Sequence, residues 1–369
     1  MGVSAEHASR RYLVRDAGAR GSNSLNFIRL VLASAVIVSH TAAITGLRAD
    51  MPPWIGWVAE WAVNGFFALS GFLIARSRMV TPFGPYMWNR ALRIFPGYWT
   101  AIVAVAVLFA PLSTLFTDET YVPRYAADYV LSNSMLLTNQ WGIAGTLESV
   151  PLPGAWNGSL WTLFFEFWAY LLAGAFLSFG FVRRHPAWWT SGLLVLVLFA
   201  QAVALGPLDI TGASWLSALR LAAFFLAGML MAFVGDWLPL TVPLAVVSGG
   251  LLLGLLWSGL VNSFGQLPFA YLLLWVAARL KVQIGSRNDV SYGVYVYAFP
   301  VQQMLVLAGA SVLGPWWFSA LALACTLPLS WLSWRFVERP AMRYRMQSRP
   351  SQDNAVPDSS TLVSSASSI

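Results

Sequence analysis

The chain has 369 residues, of which 58% are hydrophobic and only 10% charged. An ordinary soluble surface uses about 25% charged residues, so the composition excludes a soluble globular protein and points to a polytopic membrane protein. The formal charge of +7 follows membrane orientation rather than a nucleic-acid face, while the single Cys325 excludes an intramolecular disulfide and the scattered His7, His40 and His185 give no metal-ligand spacing.

The first stretch, "MGVSAEHASRRYLVRDAGARGSNS", is polar and Arg-rich. The apolar run behind it is about twenty residues long and has no small-residue cleavage pattern, which predicts a retained first span. Further apolar runs centre near Phe67, Val103, Tyr170, Leu196, Phe225, Leu251, Leu273, Val301 and Leu323. The sequence therefore predicts an all-α transmembrane bundle of about ten spans; runs this long and continuous exclude a closed barrel. With the N-terminus in the cytoplasm, the inner segments collect Arg10, Arg11, Arg15 and Arg20, then Arg76, Arg78, Arg90 and Arg93, then Arg183 and Arg184, then Arg279, Lys281 and Arg287, then the arginines from Arg335 to Arg349. The outer side keeps Arg48 and Arg124, a positive-inside asymmetry that places both termini in the cytoplasm.

Three regions follow: a cytoplasmic segment 1–23, a membrane domain 24–340, and a Ser-rich, disordered cytoplasmic tail 341–369. One long outer loop, about residues 111–159, carries Asp118, Glu119, Asp128, Glu148, Trp141 and Trp156. A loop of that length suits an external substrate, although its tryptophans equally suit an interfacial belt. No internal repeat and no phosphate-binding glycine loop is evident; "GLLLG", Gly250 to Gly254, reads as a small-residue packing motif.

Within the first span, "FIRLVLASAVIVSHT" carries Arg29 and His40. An ionisable side chain at bilayer depth costs roughly 2.5–3.5 kcal/mol, so each is expected to face protein or water and to serve a function. Eleven residues make three turns plus about 20°, which puts both on one helical face, roughly 16 Å apart along the axis. Only something long touches both.

Several stretches now read together: "NGFFALSGFLIARS", "NRALRIFPGYW", "NGSLWTLFFEFWAYL", "DVSYGVYVYAFPVQ" and "WRFVERP", in that order and with the Arg-x10-His pair. Over about residues 24–345 they resemble the acyltransferase 3 family, integral-membrane acyltransferases that modify bacterial glycans. The resemblance implies a multi-pass protein of the bacterial inner membrane that uses a cytoplasmic acyl-CoA, commonly acetyl-CoA, and no metal. The acyl group would go to a glycan hydroxyl on the far side. It also implies that Arg29 and His40 are essential, that Arg90 and Arg93 are the family's paired basic residues, and that Glu166 is the glutamate following "SLWTL". Where many relatives carry a ninth-span histidine, this chain has Ala298.

Chemistry gives these residues roles. Imidazole titrates near neutral pH, so His40 suits removing the proton of an attacking hydroxyl, or itself taking the acyl group. A carboxylate is its usual orienting partner; Glu166 lies at similar depth, with Glu60 a shallower competitor. The alternatives are a helix-bonding imidazole at His40 and a Glu166 paired to Arg220. Arg29, Arg90 and Arg93 suit CoA phosphates, since guanidinium forks match them; Arg76 and Arg78 read as orientation signals. Ser70, Tyr292 and Tyr295 are assigned to the cofactor's channel, and Trp156, Asn157 and Trp161 to a carbohydrate acceptor. The competing class is a proton-coupled transporter using His40, Glu166 and Arg29 as a relay.

Overall fold

The computed structural model describes residues 12–18, 24–205, 208, 214–280, 282 and 288–346. Lys281, Arg287, most of the segment 1–23 and the tail beyond 346 lie outside the described residues. Each of the ten apolar runs falls on a helix: α1 (Leu25–Ile44), α2 (Ile55–Val80), α3 (Phe83–Ala104), then, after a loop helix α4 (Pro123–Asn133), α5 (Trp161–Phe176), α6 (Pro186–Leu205), α7 (Ser214–Phe233), α8 (Val242–Trp257), α9 (Gln266–Arg279), α10 (Ser291–Leu307) and α11 (Gly314–Ser333). Among the described residues there is no strand, only an isolated bridge between Leu13 and Pro239.

Among the described residues six helices are long and apolar enough to cross a membrane: α1, α2, α3 with its continuation to Ser113, α6, α7, and the Ala310–Tyr344 segment that contains α11. The other four runs form shorter helices. α5 and α8 have 16 residues each, α9 has 14 and α10 has 17, against the roughly 20 that a straight crossing requires. α10 is buried around its whole circumference from Ser291 to Gln303, because α1 and α11 pack against it and the outer loop lies over it.

The tightest helix crossing joins α2 to α7. A Cβ on Gly71 would stand 1.9 Å from the Phe225 carbonyl oxygen, and one on Gly228 1.8 Å from that of Ala68. Two backbones touch there, which only glycine permits. Ala68 faces Gly228, and Glu60, two turns earlier, pairs with Arg220, so the two helices run parallel. By contrast the two glycines of "GLLLG" sit at open positions: among the described residues, Cβ atoms at Gly250 and Gly254 would meet no atom within 4 Å. Its helix, α8, instead exposes Val246, Val247, Leu251 and Leu253.

The outer loop adds to the bundle's core: Leu136, Ile143, Leu147, Val150 and Trp156 are all buried and continue the main apolar cluster through Phe109. Glu119 clasps it by accepting bonds from the backbone N–H groups of Glu148 (2.8 Å) and Ser149 (2.9 Å) and from the Ser149 hydroxyl (2.9 Å). Burial pushes the Glu119 carboxyl up, but these bonds outweigh it and hold it below the ordinary range. Gln303 on α10 ties the loop down by donating to the Leu152 and Ala155 carbonyls at 3.0 and 2.9 Å. Asn157 donates to the Val296 carbonyl at 2.7 Å. The loop end, Gly158 and Ser159, is thereby fixed over α10.

Gly228→Ala should force the α2–α7 backbones apart. Overpacking of this kind costs about 1–3 kcal/mol, so the thermal transition of the detergent-solubilised protein should fall clearly. Gly250→Ala, at an open position, should leave it near the wild-type value.

Candidate active site

Burying charge in an apolar bundle requires pairing, and the Arg-rich end of the bundle solves this with four residues. Asp289, just before α10, takes Arg93 at 2.5 Å and Arg29 at 3.7 Å. Arg93 also reaches Glu338 at 3.6 Å. Glu338 is buried on a π-turn, Trp334–Glu338, that follows α11; the wider turn aims its carboxylate back at α3. Two arginines thus face two carboxylates. Burial raises the Asp289 pKa, but Arg93, Arg29 and bonds from Ser291 overcome that and hold it at about 2. Neither Asp289 nor Glu338 was anticipated as a site residue, although each stands in a motif already quoted, "DVSYGVYVY" and "WRFVERP".

Above this network lie two cavities in series. The inner one, about 30 Å³, is lined by Arg29, Glu166, Ser291 and Tyr292 among others. The outer one, about 190 Å³, is lined by His40, Glu60, Arg220, Trp161, Gly158 and Ser159 among others. Val63, Thr162 and Tyr295 line both. They form the wall between them: the Thr162 and Tyr295 hydroxyls lie 2.5 Å apart, and Tyr295 also donates to the Ser159 carbonyl at 2.8 Å. Arg29 and His40, on one face of α1, therefore open into successive chambers.

His40 makes no hydrogen bond to any described residue. Its ring meets Phe299 edge-on, with centroids 5.3 Å apart, and Phe299 is in turn set by Gly158, where a Cβ would stand 2.5 Å from that ring. An imidazole that serves only to join helices would donate to a neighbouring carbonyl, and this one does not. The carboxylate sharing its chamber is Glu60, ion-paired to Arg220. Glu166 is turned away, accepting from Ser70 at 3.0 Å and from the Tyr170 hydroxyl. The expected alternative of a Glu166–Arg220 pair is thus replaced by Glu60–Arg220.

Other anticipated residues fall in varied places. Arg90 lies over the rings of Tyr86 and Tyr170 at 5.8 and 5.9 Å, and its buried Nε has no hydrogen-bond partner. Tyr292 donates to the Ile94 carbonyl at 2.7 Å beneath Arg93. Arg78 is no mere orientation signal. It is buried, and it donates to the Gly174 and Thr81 carbonyls and the Ser178 hydroxyl, bracing α2 against α5. Trp161 lines the outer chamber, whereas Trp156 is wholly buried in the loop, its indole donating to Thr146 at 2.8 Å. Asn157 is spent on fastening the loop. Ala298 lies in an apolar layer with Ala33, Ile37, Val294 and Ala322, where a histidine would meet no polar group of that layer. Among the described residues no group of three metal-ligating side chains exists.

The helices thus bring His40 to a chamber shared with Glu60, Arg220 and Trp161. The chain belongs to the acyltransferase 3 family: the profile of that acyltransferase domain matches residues 22–335. An O-acetyl transferase of Shigella phage Sf6 is 28% identical over 344 residues, covering 89% of this chain and 98% of the relative. Nodulation protein 10 of Rhizobium leguminosarum bv. viciae is 27% identical over 388 aligned positions, covering 94% and 97%. No solved structure matches the chain significantly. The protein is therefore a membrane acyltransferase.

Asp289→Asn should leave Arg29 without its carboxylate and Arg93 with Glu338 alone. Breaking a buried pair costs about 3–5 kcal/mol, so a large fall in the thermal transition is expected. The sign with pH is fixed, because the folded value lies below the ordinary 3.8. The wild-type carboxylate stabilises the fold above that pH and loses its contribution as pH falls towards 2, so the difference between wild type and Asp289→Asn should shrink on acidification. A difference independent of pH would contradict the assignment.

Proposed function

We propose that this protein is an O-acyltransferase that moves an acyl group, with acetyl the first choice, from cytoplasmic acyl-CoA to a hydroxyl of a glycan or glycolipid across the bacterial inner membrane. The observation that carries this reading is His40, an imidazole facing a polar chamber with no bond to the protein around it. The name of one relative, an O-acetyl transferase, supports acetyl as the transferred group. Both termini are cytoplasmic in this reading, with ten crossings. The parallel course of α2 and α7, four crossings apart, supports an alternating path.

In the reaction, the acceptor O–H gives its proton to the neutral imidazole as its oxygen attacks the thioester carbonyl. The C–O bond forms, the C–S bond breaks, and the departing thiolate takes the proton from the imidazolium. The arm of acyl-CoA enters past Arg29 and Tyr292 and reaches the outer chamber through the Thr162–Tyr295 wall, which must open for it. Arg90 is the arginine best suited to an incoming phosphate, since no carboxylate among the described residues pairs with it. At Arg29 and Arg93 an incoming anion competes with Asp289, so these two hold the cytoplasmic end of the path in shape and meet the cofactor along its arm. Glu166, Ser70 and Tyr170 form one side of that path.

The decisive assay supplies labelled acetyl-CoA on the cytoplasmic side of reconstituted vesicles, with a glycan acceptor on the other. Wild type should label the acceptor. His40→Ala should abolish labelling while keeping acetyl-CoA affinity, because the base acts only in the chemical step. Arg90→Gln should weaken acetyl-CoA binding tenfold or more, the usual effect of losing a charge-assisted bond worth about 1.5–3 kcal/mol. Equal labelling by His40→Ala overturns the role of His40; acceptor movement without labelling, coupled to pH, overturns the enzyme reading in favour of a transporter.

Tyr295→Phe removes the hydroxyl that bonds to Thr162 and Ser159. If that wall gates the arm, the variant should hydrolyse acetyl-CoA without an acceptor faster than wild type does. Unchanged acceptor-free hydrolysis would place the path elsewhere.

A further inference from the structure

The Glu60–Arg220 pair takes no part in the reaction as described, yet it lines the same chamber as His40. Two charged side chains on membrane helices are costly unless they serve a structural or binding purpose. A purely structural arginine in this protein is exemplified by Arg78, whose Nε, Nη1 and Nη2 each donate to a backbone carbonyl or hydroxyl. Arg220 is different. One of its amino groups meets Glu60, and no carbonyl or hydroxyl among the described residues takes the other donors. Glu60 likewise keeps its second oxygen without a donor among the described residues. Capacity for hydrogen bonding is left over on both, beside a chamber.

His40 touches neither residue: no ion pair or hydrogen bond joins them, although all three line one space. Trp161 completes the wall. The chamber's volume of about 190 Å³ is below the roughly 300–1,000 Å³ of pockets that hold whole drug-sized ligands, so it admits a single ring rather than a chain. A carboxylate that accepts, a guanidinium that donates in a fork, and an aromatic face together suit a ring bearing adjacent hydroxyls and C–H faces.

We propose that Glu60 and Arg220 form a polyol clamp that holds one pyranose ring of the acceptor across the chamber from His40, and so select which of its hydroxyls meets the imidazole. This rests on the acceptor side of the function proposed above. The clamp's position is set by the α2–α7 crossing, because Glu60 and Arg220 lie on those two parallel helices. Specificity then comes from hydroxyl stereochemistry: an epimer that cannot present neighbouring oxygens to the pair leaves the spare donors of Arg220 and the spare oxygen of Glu60 unmet on binding.

The test reads His40 directly, without turnover. Diethyl pyrocarbonate carbethoxylates neutral imidazole, and peptide mass spectrometry measures the rate at His40 in the purified full chain. Methyl α-glucopyranoside, mannopyranoside and galactopyranoside are the probes. In wild type at least one should slow modification of His40, and the three epimers should differ. In Glu60→Gln and Arg220→Gln, the glycoside concentration needed for protection should rise tenfold or more and the ranking of epimers should flatten, while the rate without sugar stays at the wild-type value. Should either single variant fold poorly, the neutral double variant Glu60→Gln/Arg220→Gln avoids an unpaired buried charge and carries the same expectation. Protection that is undiminished in the variants, or absent for all three epimers in wild type, overturns the clamp. Label transfer from acetyl-CoA by the same wild-type preparation reports separately on the proposed function. Sugar protection without transfer retains the clamp and overturns that function, and transfer without protection overturns the clamp alone.

Discussion

The structure depends on one constraint: a charge inside this bundle must be met by an opposite charge or by polar groups, and at the Arg-rich end the opposite charges come from distant parts of the chain. Asp289 draws Arg29 from α1 and Arg93 from α3, and Glu338, reached through the π-turn after α11, balances Arg93. Four segments, from residue 29 to residue 338, are thus bound at one end of the molecule by charge balance. Replacing such a network by apolar side chains often costs no stability, so its retention points to use. The two acids hold Arg29 and Arg93 beside the inner cavity.

Above the network the backbone geometry sets everything else. Gly71 and Gly228 bring α2 and α7 into direct contact, which fixes the distance between Glu60 and Arg220 two turns away. The outer loop, pinned by Gln303 and Asn157 to α10, delivers Gly158 and Ser159 to the rim of the same chamber. Gly158 leaves room for the Phe299 ring, and that ring meets His40 edge-on. The imidazole is therefore oriented by packing alone, which leaves both its nitrogens for a ligand.

Much of this was legible in the amino-acid sequence, for a physical reason. Apolar runs report helices directly, and all ten runs are helical; the spacing of Arg29 and His40 reports a shared face, since eleven residues nearly complete three turns. What escaped was rotational and tertiary. Depth along the bundle made Glu166 the natural partner of His40, but depth says nothing about which way a helix faces, and the structure turns Glu166 to Ser70 and Tyr170 and brings Glu60 to the chamber. Arg78 and Arg76 looked alike as positive-inside residues, yet only the structure distinguishes a buried brace from an arginine at the rim. Asp289 and Glu338 stood inside quoted motifs but were passed over, because a lone acid at a helix end carries no visible sign of the distant arginine it will meet. Trp156 read as a surface aromatic because nothing local shows that a loop will fold back and join the core of the bundle.

The wall made by Thr162 and Tyr295 has a consequence for the cell that houses the protein. A bore running without interruption from Arg29 to His40 would hold a file of water from one face of the bundle towards the other, and protons would follow it. A membrane held at 100 mV drives each such charge with about 2.3 kcal/mol, and a leak in every copy of the enzyme would drain the store that powers the cell. With the Tyr295 hydroxyl bonded to Thr162 and Ser159, the polar groups at the constriction are satisfied by one another and offer passing water little to hold on to. The wall therefore separates the two cavities with a constriction that insulates one from the other.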